Sequence, residues 1–257
     1  MPGIVKSTIF GYMKDYFDYE EHFEMSDDKL IELIDSYKKA GRSIIFTGLP
    51  HGIVSYGGLC AGAAADPRYN KLVTAAAGAV LATPILKHIV GVFGLIDASG
   101  KSLKKRLAKS GMEGSVVLYT GGIAELFKCS TEKEILFLKQ RKGFIKLALR
   151  EGADIVPLYF FGNTSVLTIP VSSLLETISR KLQVSLTIFW GRWGLPIPRP
   201  HKILYVRGAP LNLPVIKEPT DEEVDKYHAK YVAEIVRIFE KYKGRLPEYK
   251  NKELVIE

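Results

Sequence analysis

Hydrophobic and polar positions recur along this chain with two different periods, and each change of period marks an element. From Ser26 to Ala40 (SDDKLIELIDSYKKA) apolar residues return every three or four positions, with acids first, lysines last and Gly41 beyond. That is the pattern of an amphipathic helix with Ser26 as its N-cap. A short unbroken apolar run, SIIFT at 43–47, then predicts a buried strand. The same reading gives strands over VFGLIDA (92–98), SVVLYT (115–120), DIVPLYFFG (154–162) and KILYVRGAP (202–210). Helices are predicted over SLKKRLAKS (102–110), RKGFIKLALREGA (141–153) and TDEEVDKYHAKYVAEIVRIFEKYKG (220–244), the last capped by Thr220 and stopped by Gly244. Strands alternating with helices predict an α/β fold with a mostly parallel central sheet flanked by helices. No repeat, low-complexity tract or linker divides the chain, so one domain over 1–257 is expected.

The most apolar stretch, LVTAAAGAVLATPIL (72–86), is rich in Ala and Gly, contains Pro84 and stops at Lys87-His88. A membrane-spanning helix needs about 20 strongly apolar residues, so this shorter run reads as a buried segment. The N-terminal residues show no charged-then-apolar signal pattern and turn acidic early.

Composition narrows the partners. Apolar residues make up 47% of the chain, enough for a substantial core. The formal charge of +8 favours an anionic partner: nucleic acid, a membrane surface or a phosphate-bearing ligand. Nucleic acid ranks lowest, because the basic residues carry no recognised binding motif and no interleaved aromatic pattern. Two cysteines, Cys60 and Cys129, without paired spacing argue against a disulfide framework or zinc site. Both read as small core residues.

Several chemistries fail on spacing. ASGKS (98–102) lacks the glycine that a phosphate-binding loop needs separated by four residues from its Gly-Lys-Ser, since Leu95 stands there, and no Gly-x-Ser-x-Gly elbow is present. No two of the histidines at 22, 51, 88, 201 and 228 make a His-x-x-x-His pair, so a metal site has little support. Four of them read as structural. His51 differs: in FTGLPHGIVSYG (46–57) it follows a strand, between Pro50 and Gly52, where α/β sheets present catalytic groups. An imidazole there can take a hydroxyl proton near neutrality, or serve only as a polar turn residue.

A second cluster is TGGIAELF (120–127). Gly121 and Gly122 free backbone N–H groups to face an anion or a developing oxyanion. Glu125 suits either an acid that orients an imidazole or a carboxylate at a helix N-terminus.

Together PHG at 50–52, GG followed by Glu at 121–125 and RKGFIKLALREGADIVPLYFFG at 141–162 resemble the type-2 diacylglycerol acyltransferases, a group that includes monoacylglycerol and wax-alcohol acyltransferases. The resemblance extends through GAPLNLP (208–214) and DKYHAKYV (225–232). It implies a fold similar to that of the glycerol-phosphate acyltransferases and a catalytic core at about 40–245. It also implies transfer of a fatty acyl group from acyl-CoA to a neutral-lipid hydroxyl, diacylglycerol to triacylglycerol above all, with no metal or redox cofactor. His51 matches the second histidine of the family's His-Pro-His-Gly and Glu125 the acid of its Gly-Gly-x-x-Glu. Backbone donors at Gly52, Gly121 and Gly122 are the expected oxyanion site. Arg141, Lys142 and Lys146 are candidates for the CoA phosphates, or form a solvated helix face; Lys101, Lys104, Lys105 and Arg106 could equally meet anionic headgroups.

The sequence departs from the family pattern in places. Leu49 replaces the first histidine, Asn163 and Ser165 stand where acids are usual, and Tyr56 occupies the place of the aspartate in the glycerol-phosphate enzymes' dyad. The family's hydrophobic N-terminal anchor has no counterpart here, so peripheral or monotopic attachment is expected, facing the cytosol at the endoplasmic reticulum or a lipid droplet. Rival readings are transfer to a monoacylglycerol, long-chain alcohol or lysophospholipid, and an inactive lipid- or membrane-binding homologue.

Overall fold

A computed structural model describes residues 8–77, 91, 94–121, 125, 132–169 and 189–257. Gly122, His88, Cys129 and most of the apolar stretch at 72–86 lie outside the described residues. The helix predicted over 26–40, ahead of Gly41, forms as α2, following α1 (Thr8–Tyr16) and β1 (Glu20–Phe23). In α2 (Asp27–Lys39) the Ser26 side chain accepts the Lys29 N–H, and Leu30, Ile34 and Tyr37 supply the buried face. β2 (Ile44–Leu49) is buried at every position, as a strand covered on both faces must be.

Next come α3 (Tyr56–Ala64), β3 (Val73–Ala76), β4 (Leu95–Asp97), α4 (Gly100–Leu107) and β5 (Val116–Tyr119). They are followed by β6 (Lys133–Leu136), α5 (Gly143–Glu151), β7 (Asp154–Phe161) and β8 (Leu204–Arg207). α6 (Asp221–Tyr242) carries a full capping box between Thr220 and Glu223, and β9 (Glu253–Ile256) follows. α4 begins two residues earlier than its pattern suggests, because Ser99 caps it by accepting the Ser102 N–H.

Seven strands form one sheet in the order β1-β8-β7-β2-β5-β3-β4. The block from β7 to β4 is parallel; β8 runs antiparallel to β7 and carries β1 parallel to itself. This is the mostly parallel α/β class that the periodicity predicts. Strands β6 and β9 make a separate parallel pair. On one face of the large sheet, α5 and α6 pack through Phe144, Tyr231, Ile235 and Phe239; on the other, α2 packs through Leu30, Ile34 and Tyr37.

No helix among the described residues is long and apolar enough to cross a membrane.

Candidate active site

Register brings three loops to the same edge. Gly48 of β2 lies beside Tyr119 of β5, and Leu49 beside Tyr159 of β7, so all three strands finish together at their carboxyl ends. The turn at Leu49-Pro50 contains a cis peptide, and His51 comes next. Thr120-Gly121 leave β5 on one side of it and Gly162-Asn163 leave β7 on the other. A crevice outside strand carboxyl ends is where parallel sheets place ligands.

His51 is half-buried. Its ring stands edge-on to Tyr119, with centroids 6.0 Å apart and planes at 80°. Burial lowers its pKa below the usual imidazole value; nearby backbone carbonyls offset part of that, and the positive charge of Arg141 lowers it further. The imidazole is therefore held neutral at neutral pH, the form that can accept a proton. Tyr119 is itself fixed by the Ser55 hydroxyl, which donates to its oxygen at 3.0 Å and caps α3.

Residues 50–57 are bracketed by one buried amide. Asn163 Nδ2 donates to the Pro50 carbonyl and Asn163 Oδ1 accepts the Gly57 N–H, each at 3.0 Å. Gly52 lies between these clamps with φ +62, and a Cβ there would meet the Asn163 carbonyl oxygen at 2.7 Å, so only glycine fits. The Gly52 N–H makes no backbone–backbone hydrogen bond among the described residues. In the sequence Asn163 stands out only as a departure from an acidic pattern, with no local sign that it clamps this loop. Ser165 makes no contact with this loop among the described hydrogen bonds; its N–H turns back to the Gly162 carbonyl.

A second shell of contacts braces Asn163 from behind. The Gly162 N–H donates to the Tyr249 hydroxyl at 3.0 Å, and Thr164 Oγ1 donates to Glu134 at 3.2 Å. Glu134 pairs with Lys252 at 3.1 Å, both buried, and the Lys252 ammonium lies 4.2 Å from the Tyr249 ring centroid. The strands β6 and β9 thus tie the end of the chain to the loop beside His51.

On the β5 side, Glu125 is buried and its Oε1 accepts the Phe137 N–H at 3.0 Å. A Cβ on Gly121 would lie 2.2 Å from the Glu125 carboxylate, so Gly121 makes room for that acid. Glu125 also raises the pKa of Tyr231, behind burial as the main cause. The described hydrogen bonds include none between Glu125 and the His51 ring.

The basic residues at the start of α5 divide. Lys142 pairs with Asp225 at 2.5 Å and Lys146 with Asp221 at 3.3 Å, across a cleft of about 360 Å³ that Gly143 and Val224 also line. Arg141 is exposed and forms no ion pair among the described residues. In α4, Lys104 pairs with Glu151 at 3.7 Å, and Arg106 donates to the carbonyls of Ser115 and Lys71.

The other sequence candidates are structural. The Cys60 thiol is buried and pushed up to about 12 by that burial, which leaves no nucleophilic thiolate. The His228 ring is buried 2.9 Å from the Leu138 carbonyl, His22 lies tilted against Tyr242, and His201 faces Glu248. Leu49 is fully buried in the core.

A family profile described as diacylglycerol acyltransferase matches residues 6–257. Diacylglycerol O-acyltransferase 2 of Danio rerio is 33% identical over 97% of this chain and 71% of its own length. The human Diacylglycerol O-acyltransferase 2-like protein 6 is 33% identical over 97% of this chain and 77% of its own. The Dictyostelium discoideum Diacylglycerol O-acyltransferase 2 is 32% identical over 93% and 74%. No solved structure matches at a significant level. With a matching profile over residues 6–257 and relatives 33% identical over 97% of its length, the chain belongs to the diacylglycerol acyltransferase family.

Proposed function

We propose that this chain, acting as a single acyltransferase domain, moves a fatty acyl group from acyl-CoA to the free hydroxyl of diacylglycerol. The observation that carries the reading is the half-buried imidazole of His51, kept neutral at the carboxyl edge of a parallel sheet. In this reading the His51 nitrogen takes the acceptor's hydroxyl proton as the oxygen attacks the thioester carbonyl. Collapse of the tetrahedral intermediate forms the ester and expels CoA as a thiolate, which takes the proton back from the imidazolium. No metal or redox cofactor enters the proposed step.

The Gly52 N–H is the proposed main donor to the oxyanion, with those of Gly121 and Gly122 on the neighbouring loop. Glu125 is assigned a buried counter-charge that favours the imidazolium as the proton arrives. Arg141 is the proposed contact for a CoA phosphate, its guanidinium having no carboxylate to give up among the described residues; Lys142 and Lys146 would first have to release Asp225 and Asp221. Leu49, packed in the core, anchors the turn and leaves the chemistry to His51. The same reading places the protein on the cytosolic face of the endoplasmic reticulum or a lipid droplet, attached peripherally.

The test is transfer of radiolabelled oleoyl groups from oleoyl-CoA to diacylglycerol in detergent, comparing the native chain with His51→Gln. Product from the native chain, lost in a variant with unchanged circular dichroism, supports the reading. Equal product from both removes His51 from the mechanism.

A further inference from the structure

Residues 190–199 (WGRWGLPIPR) carry the largest exposed apolar side chains near this site. Trp193 is 74% exposed, Leu195 50% and Ile197 39%. Isolated exposed hydrophobes need no explanation, but a tryptophan held open among branched side chains does.

The segment is built rather than slack. The Gly191 N–H donates to the Leu195 carbonyl and the Arg192 N–H to the Ile197 carbonyl, both at 2.7 Å. A Cβ on Gly191 would fall 2.0 Å from the Ile197 oxygen, so the closure requires glycine. Trp193 sits at φ 56, a left-handed backbone unusual for a bulky residue, which turns its ring away from the protein.

Its charge is one-sided. From Phe189 to Pro200 there are two arginines and no acid. The Arg192 guanidinium lies 4.2 Å from the Trp193 ring centroid, and neither Arg192 nor Arg199 forms an ion pair among the described residues. The base of the loop is tied down: Thr168 and Trp190 exchange backbone hydrogen bonds, the Arg199 N–H donates to Val166, and the Tyr16 hydroxyl donates to the Pro198 carbonyl at 2.7 Å.

That base belongs to the catalytic end. Val166, Leu167 and Phe17 form an apolar cluster with Ile53, Val54 and Tyr56, which follow His51 directly. On the same cluster's helix, α1, Tyr12 is 68% exposed.

We infer that the loop 190–199 is the part of this protein that enters a lipid surface, seating Trp193, Leu195 and Ile197 at acyl depth and Arg192 and Arg199 among the phosphates. Aromatic residues with an apolar body and cationic neighbours favour that boundary, and the two unpaired arginines fit an anionic headgroup layer. The occupant is a bilayer or monolayer surface, because a second protein chain would leave the arginines to find carboxylates while the apolar tip found a pocket. The inference rests on the proposed lipid acceptor only in its purpose: the loop would set the His51 crevice where a water-insoluble substrate resides.

Flotation with vesicles of phosphatidylcholine containing about one-third phosphatidylserine tests it, using the full chain and the variant Trp193→Asn/Leu195→Ser. Asparagine tolerates the left-handed backbone, so the loop should keep its shape. The expected result is partitioning about tenfold weaker or more for the variant, with unchanged circular dichroism. Arg192→Gln/Arg199→Gln should lose the preference for anionic vesicles over pure phosphatidylcholine. Transfer to a short-chain, water-soluble diacylglycerol should be unaffected in both variants. Undiminished binding by the folded Trp193 variant, or no binding by the native chain, overturns the inference. So does self-association of the native chain without lipid that the variant abolishes, which would make the loop an interface between copies. Binding that depends on Trp193 in a chain without transfer activity would sink the acyltransferase reading and leave the docking loop standing.

Discussion

The loop around His51 and the loop around Trp193 lie at the same end of the molecule and are held by opposite means. Residues 50–57 are fixed by side chains borrowed from far along the sequence: the Asn163 amide at both ends and Tyr119 against the ring. The turn at 191–197 is fixed by its own backbone, with side chains left outward. The first arrangement immobilises a titratable group and adjusts its proton affinity. The second presents apolar surface from a turn that only its base ties to the core. A site for chemistry must be enclosed by its neighbours, whereas a site for docking must be independent of them.

This division can be tested by damaging each part in turn. The largest effect should come from His51→Gln: loss of a general base lowers kcat by about 10²–10⁴-fold. Vesicle flotation and thermal midpoint should stay as in the native chain. A variant that keeps transfer activity would end the catalytic half of the comparison.

Next is the buried brace. Glu134→Ala leaves the Lys252 ammonium buried without its partner, and such losses cost about 3–5 kcal/mol of stability. Urea denaturation should show this as a lower midpoint. An unchanged midpoint would mean that β6 and β9 do not support the loop.

Asn163→Ala removes two buried hydrogen bonds and should cost about 1–3 kcal/mol. Because those bonds position His51, kcat should fall with little change in KM. Asn163→Asp should also raise the apparent pKa of His51, moving the acid limb of the rate profile to higher pH. An unmoved limb would mean that position 163 is too far from the imidazole to act on its charge.

The smallest effects concern protons. Arg141→Gln removes a positive charge that disfavours the imidazolium, so the acid limb should move up in pH, by less than the burial term that dominates. Stability should follow the same sense. His51 and His228 are held below the ordinary imidazole value, mainly by burial. Between their folded values and about 6.5 the unfolded chain binds more protons, so acidification below about 6.5 destabilises the fold. Glu24 adds to this at lower pH. Burial opposes its ionised form, but Arg237, Lys241 and Tyr242 outweigh that and hold it at about 2, so its contribution is present above about 4.5 and is lost as pH falls towards 2. A thermal midpoint unchanged between pH 7.5 and pH 5 would contradict the histidine assignments, and one unchanged between pH 5 and pH 2.5 that of Glu24.

What was legible in the sequence follows from how local its causes are. β2 and β7 are buried on both faces and read as unbroken apolar runs; α2 and α6 announce themselves by caps and amphipathic period. β1, β3, β6 and β9 were missed. Each has four residues, too few to establish a period, and EEHF in β1 is held by pairing with β8 rather than by burial. His51 was legible because proline and glycine flank it at a strand end. The role of Asn163 was not, because its partners at Pro50 and Gly57 lie more than a hundred positions away. Likewise, the basic start of α5 gives no local sign that Asp221 and Asp225 on α6 will meet its lysines.

The pairing of β6 with β9 has a consequence for how the molecule is made. Every strand of the large sheet, His51 and Asn163 leave the ribosome well before Lys252 does. Until that lysine emerges, Glu134 has no cation and Tyr249 cannot complete its contact with Gly162. The nascent chain therefore holds the His51 turn unbraced until then, and the brace arrives with a short strand far in sequence from the group it steadies.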